Sequence, residues 1–157
     1  MDVAELEIGQ LAPAFDLPRD GGGSVRLSDY LGKQVVVYFY PKDDSGSCLT
    51  EATDFSALAG RFEKAGAVLI GISPDSVKSH DRFKTKRGLN LILASDESRA
   101  AIEAYGLWVE KSMYGRSYMG VERATFLIGE DGKIRHIWRQ VRVKGHAEEV
   151  LQAATAG

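Results

Sequence analysis

The chain holds one cysteine, Cys48, among 157 residues. A lone thiol excludes an internal disulfide, a dithiol redox pair and any metal site built from several cysteines. It fits a reducing compartment, and the expectation is a cytoplasmic protein. Charge of one sign is lacking too, since 20 Lys and Arg stand against 22 Asp and Glu for a formal net charge of −2. That balance provides no electrostatic footprint for nucleic acid or for an anionic membrane surface. No apolar run approaches the roughly 20 residues that cross a bilayer, and the opening MDVAELEIGQ is acidic where a secretory signal is basic and then apolar. Repeats, low-complexity tracts and linkers are missing, so a single domain over residues 1–157 is expected, with no cofactor.

What is present is an alternation of strands and helices. Phe15 and Leu17 on one side of Asp20-Gly21-Gly22-Gly23, and Val25 and Leu27 on the other, read as a hairpin. Ser28 reads as the cap of a short helical turn closed by Gly32. Ala67–Ser73 and Leu91–Leu93 read as strands, with a helix from Ser76 to Arg87 between them, closed by Gly88. Ser95-Asp96-Glu97 caps a further helix ended by Gly106. Arg123–Ile128 is a strand, Glu130–Lys133 a turn into Ile134–Trp138, and His146 opens a final helix. Met113–Gly120 has no clean period and reads as a loop or irregular strand pair beside the active site, or as a plain surface loop. The sum is an α/β domain whose sheet is at least partly parallel.

The organising stretch is Val35 to Phe55. Six apolar residues, Val35 to Tyr40, have the length and branching of a buried strand, and Pro41 stops it. Lys42 to Ser47 is turn-forming, and an apolar stripe at Leu49, Phe55, Leu58 and Phe62 starts a helix near Cys48. The first turn of a helix offers free N–H groups and the positive end of its dipole. Both favour thiolate over thiol, so Cys48 is expected to be nucleophilic. The competing reading is a buried, inert cysteine.

The spacing Pro41-x-x-x-Ser45-x-x-Cys48 resembles the P-x-x-x-(T/S)-x-x-C motif of peroxiredoxins, and Phe39 to Asp44 is similar to their Q-type, bacterioferritin-comigratory-protein-like branch. The opening Gly9-x-x-Ala12-Pro13-x-Phe15-x-Leu17-Pro18 extends the likeness, as does Arg123-Ala124-Thr125-Phe126-Leu127-Ile128, which resembles the segment carrying that family's active-site arginine. The resemblance implies a thioredoxin-like fold with a peroxiredoxin N-terminal hairpin and insertions, its central mixed sheet flanked by helices. It implies a thiol-dependent peroxidase that reduces hydrogen peroxide and small organic hydroperoxides through a Cys48 sulfenic acid. Arg123 would be the fixed cation, where an isolated arginine would otherwise read as a solvated charge. Ser45 would donate to a reacting oxygen, and Pro41 would shield the thiolate without offering a donor. Glu51 would hold Arg123 in a bidentate pair, against the alternative of an exposed helix glutamate. Tyr40 is implied as a supporting residue.

The chain departs from many Q-type relatives at both usual places of a resolving cysteine, which hold Thr53 and Lys84. The sulfenic acid must then be reduced by an outside thiol: thioredoxin, glutaredoxin or glutathione. Ser45-Gly46-Ser47-Cys48-Leu49 also replaces the commoner T-P-G-C-T, which keeps a hydroxyl and loses a proline. His80, His136 and His146 have no metal-ligand spacing and read as structural or solvated. Two other readings stay open, a peroxide sensor that relays oxidation to a partner and a non-catalytic thioredoxin-fold binding module. A Cys–His hydrolase has no local signature. A monomer is expected.

Overall fold

The computed structural model describes residues 5–156. In chain order they form β1 (Asp16–Pro18), β2 (Ser24–Arg26), a 3₁₀ turn (Leu27–Tyr30), β3 (Gln34–Phe39), α1 (Gly46–Ala57), α2 (Ala59–Lys64), β4 (Ala67–Ser73) and α3 (Val77–Arg87). Then follow β5 (Ile92–Ser95), α4 (Ala100–Ala104), β6 (Trp108–Met113), β7 (Arg116–Val121), β8 (Ala124–Ile128), β9 (Ile134–Trp138) and α5 (His146–Ala156). Five strands make one mixed sheet in the order β5-β4-β3-β8-β9. β3 runs parallel to β4 and antiparallel to β8. Two hairpins, β1–β2 and β6–β7, stand outside it.

β3 is central because all six of its residues are buried. Its alternating side chains serve two cores. Val35, Val37 and Phe39 meet Phe15, Leu17, Val25, Ile102, Tyr105 and Phe126 on one face. Val36, Tyr38 and Tyr40 meet Cys48, Phe55, Phe62, Phe83, Val150 and Leu151 on the other. An apolar run without alternation is what a strand covered on both faces requires.

Gly71 lies opposite Tyr38 in the parallel register, and a Cβ there would come within 2.8 Å of the Tyr38 ring. That ring stacks on Tyr40 and Phe55, so it cannot retreat freely. Gly71→Ala is expected to cost about 1–3 kcal/mol by overpacking. Urea denaturation of both proteins measures it, and an unchanged midpoint would refute the argument.

Several expectations shift in detail. The helix that opens at Cys48 starts two residues earlier, at Gly46, and breaks at Leu58 into α1 and α2. Ser28 lies inside the 3₁₀ turn, whose N-cap is Arg26. The helix after Asp96 is one short element, Ala100–Ala104, with the Asp96 carboxylate accepting from the Ile102 amide at 2.8 Å. Met113–Gly120, expected as a loop or irregular strand pair, is the turn and second strand of a regular hairpin: β6 and β7 pair residue for residue from Trp108↔Val121 to Met113↔Arg116. The single-domain span is described only for residues 5–156, with residues 1–4 and 157 outside it.

Candidate active site

The site forms where β3 stops. Pro41 follows the strand, Asp44 turns the chain with a left-handed φ of 58°, and Ser45 is the N-cap of α1 in extended conformation. Aspartate is among the few side chains that tolerate that turn. Cys48 is therefore the third residue of α1, 2% exposed, on a turn whose amides have no intrahelical acceptor.

Arg123 reaches the same point from the start of β8. Its Nη2 lies 3.2 Å from Cys48 Sγ and 3.3 Å from Ser47 Oγ, and its Nη1 donates to Glu51 Oε1 at 2.7 Å. The expected bidentate pair is not formed, because the second guanidinium nitrogen is turned to the sulfur. Glu51 Oε2 is left buried without a partner. Burial pushes the Glu51 carboxyl up to about 7, against the pull of Arg123. Its folded value lies above its unfolded one, so ionised Glu51 takes stability from the fold as pH rises from 4.5 towards 7. A carboxylate kept at that cost holds Arg123 in place more than it stabilises the chain. Burial pulls Arg123 down, but Glu51 and Cys48 outweigh it, so the guanidinium is held above its ordinary value.

The other expected residues stand at different distances from the thiol. Pro41 is half-buried at the mouth of the loop. Ser45 Oγ donates to Lys42 O at 3.0 Å, so its proton is turned back into the loop and not towards Cys48. Tyr40 shares an apolar cluster with Cys48, but its hydroxyl donates to Asp43 Oδ1 at 2.6 Å. Asp43 also accepts from Ser79 Oγ at 2.8 Å and from His80 Nδ1 at 2.7 Å, while His80 Nε2 faces Ala94 O at 3.0 Å. Tyr40 thus braces the loop through Asp43. The two remaining histidines differ: His136 is exposed, and His146 is buried against Thr125 Oγ1 at 2.8 Å, with burial lowering it to about 4.

Both resolving-cysteine positions are occupied by structural contacts. Thr53 Oγ1 donates to Leu49 O within α1. Lys84 Nζ donates to buried Asp20 at 2.7 Å, and Asp20 in turn accepts from the Leu93 amide. Asp81 accepts from the Gly21 amide, and Lys86 and Arg87 both bind Asp44. α3 is thereby tied to the first hairpin, to β5 and to the loop before Cys48.

Sequence reasoning missed two neighbours of the thiol. Ser47 meets Arg123, and Tyr38, whose hydroxyl is buried without a partner, shares the apolar cluster of Cys48. Only Ser47, adjacent to Cys48, carried a signal in the sequence. The assembled groups can attack an electrophile through sulfur and receive negative charge on donors already aimed at the site.

The chain is similar to known proteins over most of its length. The AhpC/TSA family model matches residues 8–137. Peroxiredoxin Bcp of Bacillus subtilis is 47% identical over 147 residues, covering 94% of each chain. A cysteine-to-serine mutant of Xylella fastidiosa PrxQ superposes with a TM-score of 0.92 at 40% identity over 98% of both chains. The Xanthomonas campestris bacterioferritin comigratory protein, solved in trapped intermediate and ligand complexes that bear on its alkyl peroxide reduction activity, gives 0.86 at 44% identity over 90% of both. The chain belongs to the AhpC/TSA family and, within it, to the peroxiredoxins of the Bcp and PrxQ type.

Proposed function

We propose that Cys48 is the peroxide-reactive thiolate of a one-cysteine peroxidase. The supporting observation is the Arg123 fork, with one nitrogen on the sulfur and the other on Glu51. Cys48 attacks one oxygen of a hydroperoxide, the O–O bond breaks, and Cys48 becomes a sulfenic acid as the other oxygen leaves as water or alcohol. Arg123 and the first-turn amides of α1 face the charge that develops. Pro41 screens the reacting pair from water. Ser45 holds the loop through Lys42 O, and a small rotation of its hydroxyl redirects the proton to substrate. The substrates are hydrogen peroxide and small alkyl hydroperoxides, the second in line with the alkyl peroxide reduction activity of the Xanthomonas relative.

The single cysteine leaves the sulfenic acid to an external thiol. Thioredoxin, glutaredoxin or glutathione forms a mixed disulfide on Cys48 with loss of water, and a second thiol releases it. No step of this cycle needs a second copy of the chain, and the reading is a monomer. Reducing thiols of that kind belong to the cytoplasm.

The test is stopped-flow mixing of the reduced protein with hydrogen peroxide, followed by Trp fluorescence and by mass. Stoichiometric uptake of one oxygen at Cys48, far faster than a free thiol allows, is expected. Turnover should then appear with one of the three reductants. A rate no better than a free thiol would leave a binding module with the family's shape. Fast oxidation without turnover by any reductant would favour a sensor.

A further inference from the structure

Arg123 stands on a two-residue connection. β7 ends at Val121, and the pairing of β8 with β3 begins at Ala124, opposite Phe39. Glu122 and Arg123 therefore lie outside the strand pairings, and three other contacts hold them. The Glu122 amide donates to Leu107 O at 2.8 Å, and the Arg123 carbonyl accepts from the Val141 amide at 3.0 Å. The Glu122 carboxylate makes the third. It takes a fork from Arg139, Nε on one oxygen and Nη2 on the other at 2.9 Å, and it accepts from the Gln140 amide at 3.2 Å. A two-pronged pair of this kind fixes orientation as well as distance. Both side chains are half-buried. Burial opposes the charge on Glu122, but Arg139 and the Gln140 amide outweigh it and hold the carboxyl below its ordinary value. Gln140 itself is left-handed, with a φ of 48°, which a residue other than glycine keeps only where its surroundings hold it.

We propose that the Arg139–Glu122 pair positions Arg123 for the peroxidase step, by fixing the connection that carries it and so setting its guanidinium against Cys48. This rests on the reading of Cys48 as nucleophile and Arg123 as its cation. Arg139 bonds to Glu122 and to Gly106 O at 3.5 Å, and it acts on the sulfur only through Arg123. The need for such a support follows from the fork of Arg123, which spans Cys48 Sγ at 3.2 Å and Glu51 Oε1 at 2.7 Å. A backbone that drifts by about 1 Å breaks one arm or the other, and misplacement of that size costs up to about 100-fold in rate.

Glu122→Gln separates positioning from charge. It removes an anion and leaves Arg139 cationic, so a field acting through space would favour the Cys48 thiolate. Loss of positioning does the reverse. Glu122→Gln and Arg139→Met should each slow single-turnover oxidation of Cys48 by hydrogen peroxide about tenfold or more. Each should also move the midpoint of the thiolate absorbance upward by about 1 pH unit. In an Arg123→Met background neither substitution should slow the reaction further. A Glu122→Gln protein with an unchanged rate, or with a midpoint unchanged or lowered, would overturn the positioning role. So would slowing of equal size with and without Arg123. A wild-type protein no faster than a free thiol would instead overturn the assignment of Cys48, and the thiolate midpoint would still read what the pair does to Arg123.

Discussion

Arg123→Met is expected to slow the oxidation of Cys48 by hydrogen peroxide about a thousandfold, the upper range for loss of a preorganised charge donor. The guanidinium stands 3.2 Å from Sγ and 2.7 Å from Glu51 Oε1, so one substitution removes the partner of the thiolate and of the glutamate together. Glu51, already raised to about 7 by burial, loses the group that lowers it and takes up a proton. Arg123→Lys should recover only part of the rate, since one ammonium cannot reach sulfur and carboxylate in the same fork geometry. Single-turnover stopped flow reads all three proteins, and Cys48→Ser provides the zero. A methionine variant within tenfold of the wild type would remove Arg123 from the reaction.

The second large effect is on stability. His80 is fully buried, with one ring nitrogen on the Asp43 carboxylate and the other on the Ala94 carbonyl. Both partners can only accept, so both nitrogens donate and the ring is an imidazolium. Burial opposes that charge, but Asp43 and the Ala94 carbonyl outweigh it, and His80 is raised above 6.5. Asp43→Ala removes the counter-charge of a buried cation and should cost about 3–5 kcal/mol. The folded value lies above the unfolded one, so the pair's contribution is complete below pH 6.5 and is lost as pH rises through the folded value. Urea denaturation of both proteins across that window should show the gap between them narrowing as pH rises. A gap that widened, or stayed within about 1 kcal/mol throughout, would refute the imidazolium. Because Asp43 also receives the Tyr40 hydroxyl, the same substitution should loosen the loop that carries Ser45.

Much of this was legible in the chain because its signals are local. The run from Val35 to Tyr40 is apolar without alternation, and β3 is buried on both faces. The turn residues before Cys48 and the apolar stripe after it place the thiol on the first turn of α1. Ser76 and Gly88 bound α3 as cap residues should, with Ser76 accepting from the Ser79 amide. What stayed hidden depends on distance or exposure. β6 and β7 are largely solvent-facing, so no burial imposes a period on their sequence. His80 and Asp43 are 37 residues apart, and no spacing rule joins them. The break at Leu58 falls between two alanines, with Gly60 the one weak helix former just beyond it, and Phe55 and Phe62 are both buried as one continuous helix would have them. The direction of the Ser45 proton and the idle oxygen of Glu51 are matters of ångströms that a motif does not encode.

The ties on α3 bear on how the enzyme passes its working life. Lys84 and Asp81 fasten it to the first hairpin, Ser79 and His80 to Asp43, and Lys86 and Arg87 to Asp44. A helix anchored at every turn has no soft end from which to peel. Its amides should exchange with deuterium only when the whole molecule opens, as slowly as those of β3. Oxidation then leaves no loosened segment behind: to a protease or a chaperone the spent enzyme and the fresh one have the same outline, and what the reductant must find is a single altered atom.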